Sequence, residues 1–126
     1  MKNILKLTLF LIITNSLLSS CSKEIPNFYH VLMIEFTPNA NITKITREIL
    51  LFKKIPSVID LAFGEVKKNE KNKIQNFKYC LLLKFKDKEG LDNYLKDAYH
   101  QKIYKKHKPF IKTIYTVDFN AVSLKE

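Results

Sequence analysis

The stretch CLLLKFKDKEGLDNYLKDAYHQKI, residues 80–103, changes its hydrophobic period partway along. Its first part continues an apolar alternation that starts at Phe77 and ends at Phe85, and a period of two indicates a strand. Asp87 then has the character of a helix N-cap, and apolar side chains recur at helical spacing after it, at Leu91, Tyr94, Leu95 and Ala98. The stretch therefore predicts a strand over 77–86, a helix beginning after Asp87, and a second helical piece over 99–107.

The segments upstream and downstream supply the remaining elements. The run FYHVLMIEF, residues 28–36, predicts a strand that is largely apolar on both faces, with His30 on the same face as its apolar neighbours. An amphipathic helix is predicted over 43–54 with Thr43 as its N-cap, and strands are predicted over 57–66 and 112–119. A charged loop separates the second and third strands.

The order strand, helix, strand, strand, helix, strand defines the predicted fold class. It is an α+β, ferredoxin-like βαββαβ arrangement with a four-stranded antiparallel sheet. Two helices cover only one face of such a sheet, whereas the first strand is apolar on its other face as well. A second copy of the chain is the simplest cover, so we expect a sheet-on-sheet homodimer, the dimeric α+β barrel.

The first twenty residues differ in kind from the rest. Two lysines precede a short apolar run, small polar residues follow, and Cys21 ends the stretch LLSSC. This layout is typical of a secretory signal peptide and resembles that of bacterial lipoproteins, in which the cysteine is lipidated. We therefore expect a leader over 1–20, a lipidated tether over 21–28, a domain over 29–119 and a tail over 120–126. The protein would be exported and anchored to a membrane through lipid on Cys21, on the periplasmic side or at the outer membrane or cell surface.

The composition limits the possible partners. The formal net charge is +10, and leaving out Lys2 and Lys6 of the leader still gives +8. An exported protein has little access to nucleic acid, so we expect no nucleic-acid partner; the charge favours either a basic soluble surface or attraction to anionic lipid. With Cys21 lipidated, Cys80 has no disulfide partner and fits a small buried residue.

The residues also resemble a known family, the stress-responsive dimeric α+β barrel or Dabb domain. The resemblance covers about residues 29–119 and is carried by YHVLMIEF with its leading histidine, by FGEV, and by the run 80–103. In that run a tyrosine is followed by a histidine six residues later. The family usually has proline two residues before this histidine, where this chain has Ala98.

The resemblance implies a site. In family members that are enzymes, such as plant polyketide cyclases, the matching residues line a pocket between sheet and helices; here they are His30, Tyr94 and His100. His100 would act as acid or base, Tyr94 would donate to a carbonyl or oxyanion, and His30 would orient either one. Six residues on an unbroken helix place two side chains about 120° apart, so a break near Asp97 is needed to bring Tyr94 and His100 together.

Other kinds of site have no support in the sequence. His100 and His107 lie seven residues apart, about 10.5 Å along a helix, which is too far for one metal ion. We expect no metal and no cofactor. The favoured function is binding of a small apolar ligand in the sheet–helix pocket. A cyclase or isomerase and a non-catalytic structural or stress-response module remain open as alternatives.

Overall fold

The computed structural model describes residues 27–67 and 77–122. The predicted leader, Cys21 with most of the tether, the charged loop at 68–76 and the end of the tail lie outside the described residues. Within them, no helix has the length and apolar composition needed to cross a membrane.

The elements follow the order expected from the sequence, with shifted boundaries. The strands are β1 (Phe28–Phe36), β2 (Asp60–Glu65), β3 (Tyr79–Phe85) and β4 (Ile111–Asn120). The helices are α1 (Ile42–Leu50), α2 (Lys88–Lys96) and α3 (Ala98–His107), and 3₁₀ turns follow α1 at Leu51–Lys54 and α3 at Lys108–Phe110.

The four strands form one antiparallel sheet in the order β2-β3-β1-β4. This is the predicted ferredoxin-like α+β fold, with β1 and β3 central and β4 at an edge. The helices cover one face, where the first and third strands bury alternate side chains against them. The core on that face contains Ile34, Leu81, Leu83, Phe85, Ile45, Ile49, Phe52, Leu91, Tyr94 and Ile103.

Three local predictions are wrong. The N-cap of α1 is Asn41, whose side chain accepts from the Lys44 amide, so the helix starts before Thr43. Leu95 is 40% exposed, because it lies one residue, about 100° of rotation, beyond the buried Tyr94. Ala98 does not extend the apolar face of α2, since it is the first residue of α3.

Asp97 divides the second helical region into α2 and α3. Its backbone is extended, with φ −60° and ψ 133°, and it is both the C-cap of α2 and the N-cap of α3. Its carboxylate accepts from the amides of Tyr99 and His100, which satisfies two of the free donors at the start of α3. The break required by the spacing of Tyr94 and His100 is therefore present, although proline is absent.

The other face of the sheet carries no helix. Register places apolar side chains side by side there, since Val31 pairs with Val117 and with Leu82, while Tyr29 stacks on Phe119 at 5.1 Å between ring centroids. The apolar part of this outer sheet face includes Tyr29, Val31, Met33, Cys80, Leu82, Tyr115, Val117 and Phe119, and the ion pair between Lys84 and Asp60 lies on the same face. Tyr115 and Val117 are 59% and 58% exposed. An apolar face of this kind marks an interaction surface.

Candidate functional site

The break at Asp97 brings the predicted site residues into one aromatic cluster. The rings of Tyr94 and His100 lie 4.2 Å apart, and those of His30 and Tyr94 lie 6.2 Å apart in an edge arrangement. Phe52 closes the cluster from the α1 side, 5.6 Å from Tyr94 and 5.4 Å from His100. Phe85 packs on Tyr94 from the sheet at 5.5 Å. Four side chains, from His30, Phe52, Phe85 and His100, thus meet around the Tyr94 ring.

Tyr94 and His100 also line a cavity of about 60 Å³ between α3 and the β1–β4 side of the sheet. Its other lining residues are mostly apolar and come from α1, α3 and all of the strands except β2. They are Leu32, Ile34, Phe36, Ile45, Ile49, Phe52, Leu81, Ile103, Tyr104, His107, Ile111 and Ile114. Tyr104 and Ile114 are 46% and 38% exposed, so they form the mouth of the cavity at the β4 edge.

His30 is close to this cavity but does not line it. Its ring is buried, and its Nδ1 lies 2.5 Å from a carboxylate oxygen of Asp118, the residue opposite it on β4. The geometry places His30 behind Tyr94, in contact with its ring. The sequence analysis did not identify Asp118 as the partner of His30. The only indication in the sequence was that Asp118 lies on the same face of the last strand as Ile114.

Burial sets the protonation of the two cavity residues. Desolvation raises the pKa of the Tyr94 phenol far above its usual value, with a further contribution from the nearby Asp97 carboxylate. Desolvation also lowers the pKa of His100, an effect that the Leu95 carbonyl and Asp97 partly offset. At neutral pH the cavity therefore presents a protonated phenol, which can donate, and a neutral imidazole, which can accept.

The contacts of His100 assign its two nitrogens. Nδ1 lies 3.4 Å from the carbonyl oxygen of Leu95 near the end of α2, so Nδ1 is the nitrogen that carries the hydrogen. Nε2 is then the nitrogen with the free lone pair. The contact with Leu95 also gives His100 a structural role, because it helps to satisfy a carbonyl at the C-terminal end of α2.

A second histidine lines the cavity, and sequence reasoning assigned it no role. His107 lies on α3 one heptad after His100, is 7% exposed, and bonds through Nε2 to the Glu48 carboxylate of α1. Its Nδ1 is buried and has no hydrogen-bond partner among the residues that the structure describes. A buried acceptor or donor left unsatisfied costs about 1–3 kcal/mol.

In the described ranges 27–67 and 77–122, no three side chains of His, Cys, Asp or Glu come together in a way that could hold a metal ion.

The chain belongs to the Dabb family, the stress responsive A/B barrel domain, whose family model matches residues 28–121. No protein of curated function matches the chain.

Solved structures share the fold at low sequence identity. A protein from Arabidopsis thaliana is 19% identical with a TM-score of 0.68, over 79% of this chain and 99% of that one. A hydroxynitrile lyase from Passiflora edulis is 12% identical with a TM-score of 0.70, over 81% and 100%. A dimeric ferredoxin-like protein of unknown function from a Jannaschia species is 24% identical with a TM-score of 0.64, over 75% and 98%. At these identities the similarity shows the fold alone.

Proposed function

We propose that this chain is a homodimeric Dabb protein that binds a small, mostly apolar molecule in the cavity between α3 and the sheet. The observation that carries the proposal is the composition of the cavity wall. Eleven of its fourteen lining side chains are hydrophobic or aromatic, while Tyr94 and His100 add polar groups at one end and His107 adds another on α3. Small-molecule sites are commonly built in this way, with an apolar pocket and a few polar groups that orient the ligand.

The size of the cavity limits the ligand. Its volume of about 60 Å³ is below the roughly 150 Å³ of an engineered apolar cavity that binds benzene. A ligand of the size of benzene therefore extends from the cavity into its mouth, beside the half-exposed Tyr104 side chain. The ligand we expect has about the size of a single ring, with its apolar part inside and its remainder at the β4 edge.

The dimer part of the proposal rests on the outer sheet face. Its central pair, Val31 and Val117, together with Tyr115 and Phe119, forms a continuous apolar surface that the helices leave uncovered. A second copy presents the same surface and can cover it by two-fold symmetry. Several fold relatives are described as dimeric ferredoxin-like proteins, which agrees with this arrangement.

Toluene is a suitable first probe because it matches the expected size and has no polar group. We expect toluene to shift the NMR signals of cavity residues such as Ile103 and to do so saturably. In Ile49→Phe the added ring occupies the cavity, so a folded variant should lose the saturable shifts. If neither toluene nor phenol, which carries a hydroxyl in place of the methyl group, changes the cavity signals of the wild-type protein, the binding proposal fails and the structural or stress-response module becomes the better account.

A second candidate function, an acid–base enzyme, is favoured by the contact between Tyr94 and His100. A neutral His100 Nε2 can remove a proton beside a carbonyl, and the protonated Tyr94 hydroxyl can donate to the oxygen on which negative charge develops. His30, held by Asp118, would orient the Tyr94 ring. The hydroxynitrile lyase from Passiflora edulis is an enzyme of the same fold.

Proton abstraction can be followed with cyclohexanone in D₂O, by the exchange of its α-hydrogens. The enzyme account predicts exchange above the rate in buffer, and its loss in His100→Ala. Exchange that is equally fast in the wild-type protein and in His100→Ala would remove His100 from this role.

We also propose that the protein is exported and anchored through lipid on Cys21. The support is the layout of residues 1–21, with two lysines, a short apolar run and small residues before the cysteine. Metabolic labelling with a radioactive fatty acid tests it. Wild-type protein should take up label and sediment with membranes, whereas Cys21→Ala should do neither; label that survives in Cys21→Ala contradicts the assignment.

A further inference from the structure

His107 has two ring nitrogens, and only one of them has a hydrogen-bond partner among the described residues. The residue bridges α3 to α1 through Nε2 and the Glu48 carboxylate, and this bond uses only one of its two nitrogens. The other nitrogen, Nδ1, is buried without a partner among the described residues, while the ring forms part of the cavity wall. Buried polar groups in folded proteins are nearly always hydrogen-bonded, so an orphan at the wall of a cavity indicates a missing partner.

The neighbours of His107 decide what that partner must be. Lys106 Nζ lies 2.5 Å from the other oxygen of Glu48, and this hydrogen bond is the main reason why the pKa of Glu48 is lowered and the group is an anion. An anionic carboxylate accepts from Nε2, which therefore carries the hydrogen. When the ring is neutral, the hydrogen on Nε2 leaves a lone pair on Nδ1, and the partner that this lone pair takes is a hydrogen-bond donor.

We propose that Nδ1 of His107 accepts a hydrogen bond from the bound ligand, so that the cavity selects small apolar molecules that carry one hydroxyl or N–H donor. This inference rests on the proposed function and adds the chemical class of the ligand. His107 and His100 lie on the same face of α3, about 10.5 Å apart along its axis. His107 is thus a specificity-determining residue at the opposite end of the cavity from Tyr94 and His100.

One competing partner is a water molecule. His107 also lines a second cavity of about 190 Å³, in which Lys44, Lys106, Asn39 and Asn41 supply polar groups. A water entering from that side could meet Nδ1 without any ligand. The experiment must therefore separate a ligand donor from a resident water.

Phenol and toluene form a matched pair of probes, since they differ by a hydroxyl in place of a methyl group. In His107→Phe we expect the dissociation constant of phenol to rise about fivefold to tenfold relative to that of toluene. A change of this size corresponds to the loss of one hydrogen bond. Tyr115→Phe, which removes a hydroxyl on the outer sheet face, should leave the ratio unchanged. If both probes bind but the ratio is the same in His107→Phe, the role of His107 is refuted and the binding site stands. If neither probe binds the wild-type protein, the proposed function fails and this inference fails with it.

A measurement on the wild-type protein covers the case in which His107→Phe does not fold. With ¹⁵N-labelled histidine, phenol should move the Nδ1 resonance of His107 upfield, as expected for a nitrogen that accepts a hydrogen bond, and toluene should move it much less. A Nδ1 resonance that is already at the hydrogen-bonded position without ligand, and that phenol leaves in place, identifies a resident water and contradicts the proposal.

Discussion

The rings of Tyr94 and His100 lie 4.2 Å apart, although the two residues are six positions apart in sequence and lie on different helices. The extended backbone of Asp97 makes this contact possible, because it starts a new helix whose first turn lies over Tyr94. The Asp97 side chain stabilises the break by capping α3.

The capping role of Asp97 gives the first prediction. Asp97→Ala should lower the free energy of unfolding by about 0.5–2 kcal/mol and should also displace the His100 ring from Tyr94. Asp87→Ala is the matched control, because Asp87 caps α2 by accepting from the Gly90 amide. Urea denaturation should show similar losses for both variants, while only Asp97→Ala changes the NMR signals of His100. Unchanged His100 signals in Asp97→Ala would contradict the role given to the cap.

The burial of His100 predicts a dependence of stability on pH. The lowered pKa of His100 means that the unfolded chain takes up a proton below about pH 6.5 while the folded chain does not. The free energy of unfolding should therefore fall as pH drops below about 6.5, until the lowered folded-state pKa is passed. The difference between the wild-type protein and His100→Gln isolates this contribution. A difference that is constant from pH 7.5 to pH 5 would show that burial does not hold His100 neutral.

The lowered pKa of Glu48 predicts a second dependence of stability on pH, separate from that of His100. Its pKa is lowered, first of all by the hydrogen bond from Lys106 and also by His107, against a desolvation cost. The stabilisation is complete above the unfolded-state pKa, about 4.3, and is lost as pH falls through the lower folded-state value. The free energy of unfolding of Glu48→Gln should therefore fall less than that of the wild-type protein as the pH drops below about 4.5. Glu65→Gln, at an exposed position on β2, is the control that should leave the acid profile as in the wild-type protein.

The outer sheet face predicts how the dimer can be separated. Val117→Glu places a charge in the centre of this face, next to Val31, and should give monomers in analytical ultracentrifugation. Leu50→Glu is the control, because Leu50 is 47% exposed at the end of α1 on the helix side. It should leave the protein dimeric. A dimer that survives Val117→Glu would show that the copies meet elsewhere.

The fold followed from local patterns, because each element has a clear period of its own. The alternation that ends at Phe85, the cap at Asp87 and the spacing of Leu91 and Tyr94 all act within a few residues of each other. The break at Asp97 followed from the family resemblance together with geometry, since the resemblance puts Tyr94 and His100 in one pocket and no continuous helix could bring them together. Boundaries such as the start of α1 were less accurate, because Asn41 and Thr43 are both acceptable caps.

The partners of the site histidines could not be predicted in the same way. Asp118 is 88 residues from His30, and the pair depends on the register of β1 against β4. Glu48 is 59 residues from His107, and the pair depends on how α1 and α3 pack. A contact between residues so far apart in the chain produces no periodic pattern in a single sequence. The cavity itself depends on the same packing, so only the structure shows that His107 lies on its wall.

The central claim is that the cavity holds a small, mostly apolar molecule in a homodimer. Native mass spectrometry of the full chain, released gently from its own cells in detergent, tests both parts together. We predict a dimer that carries a discrete added mass, and the same dimer without that mass in Ile49→Phe. A monomer would contradict the role of the outer sheet face. A dimer that never carries added mass, and whose cavity signals also ignore toluene and phenol, would contradict the binding site.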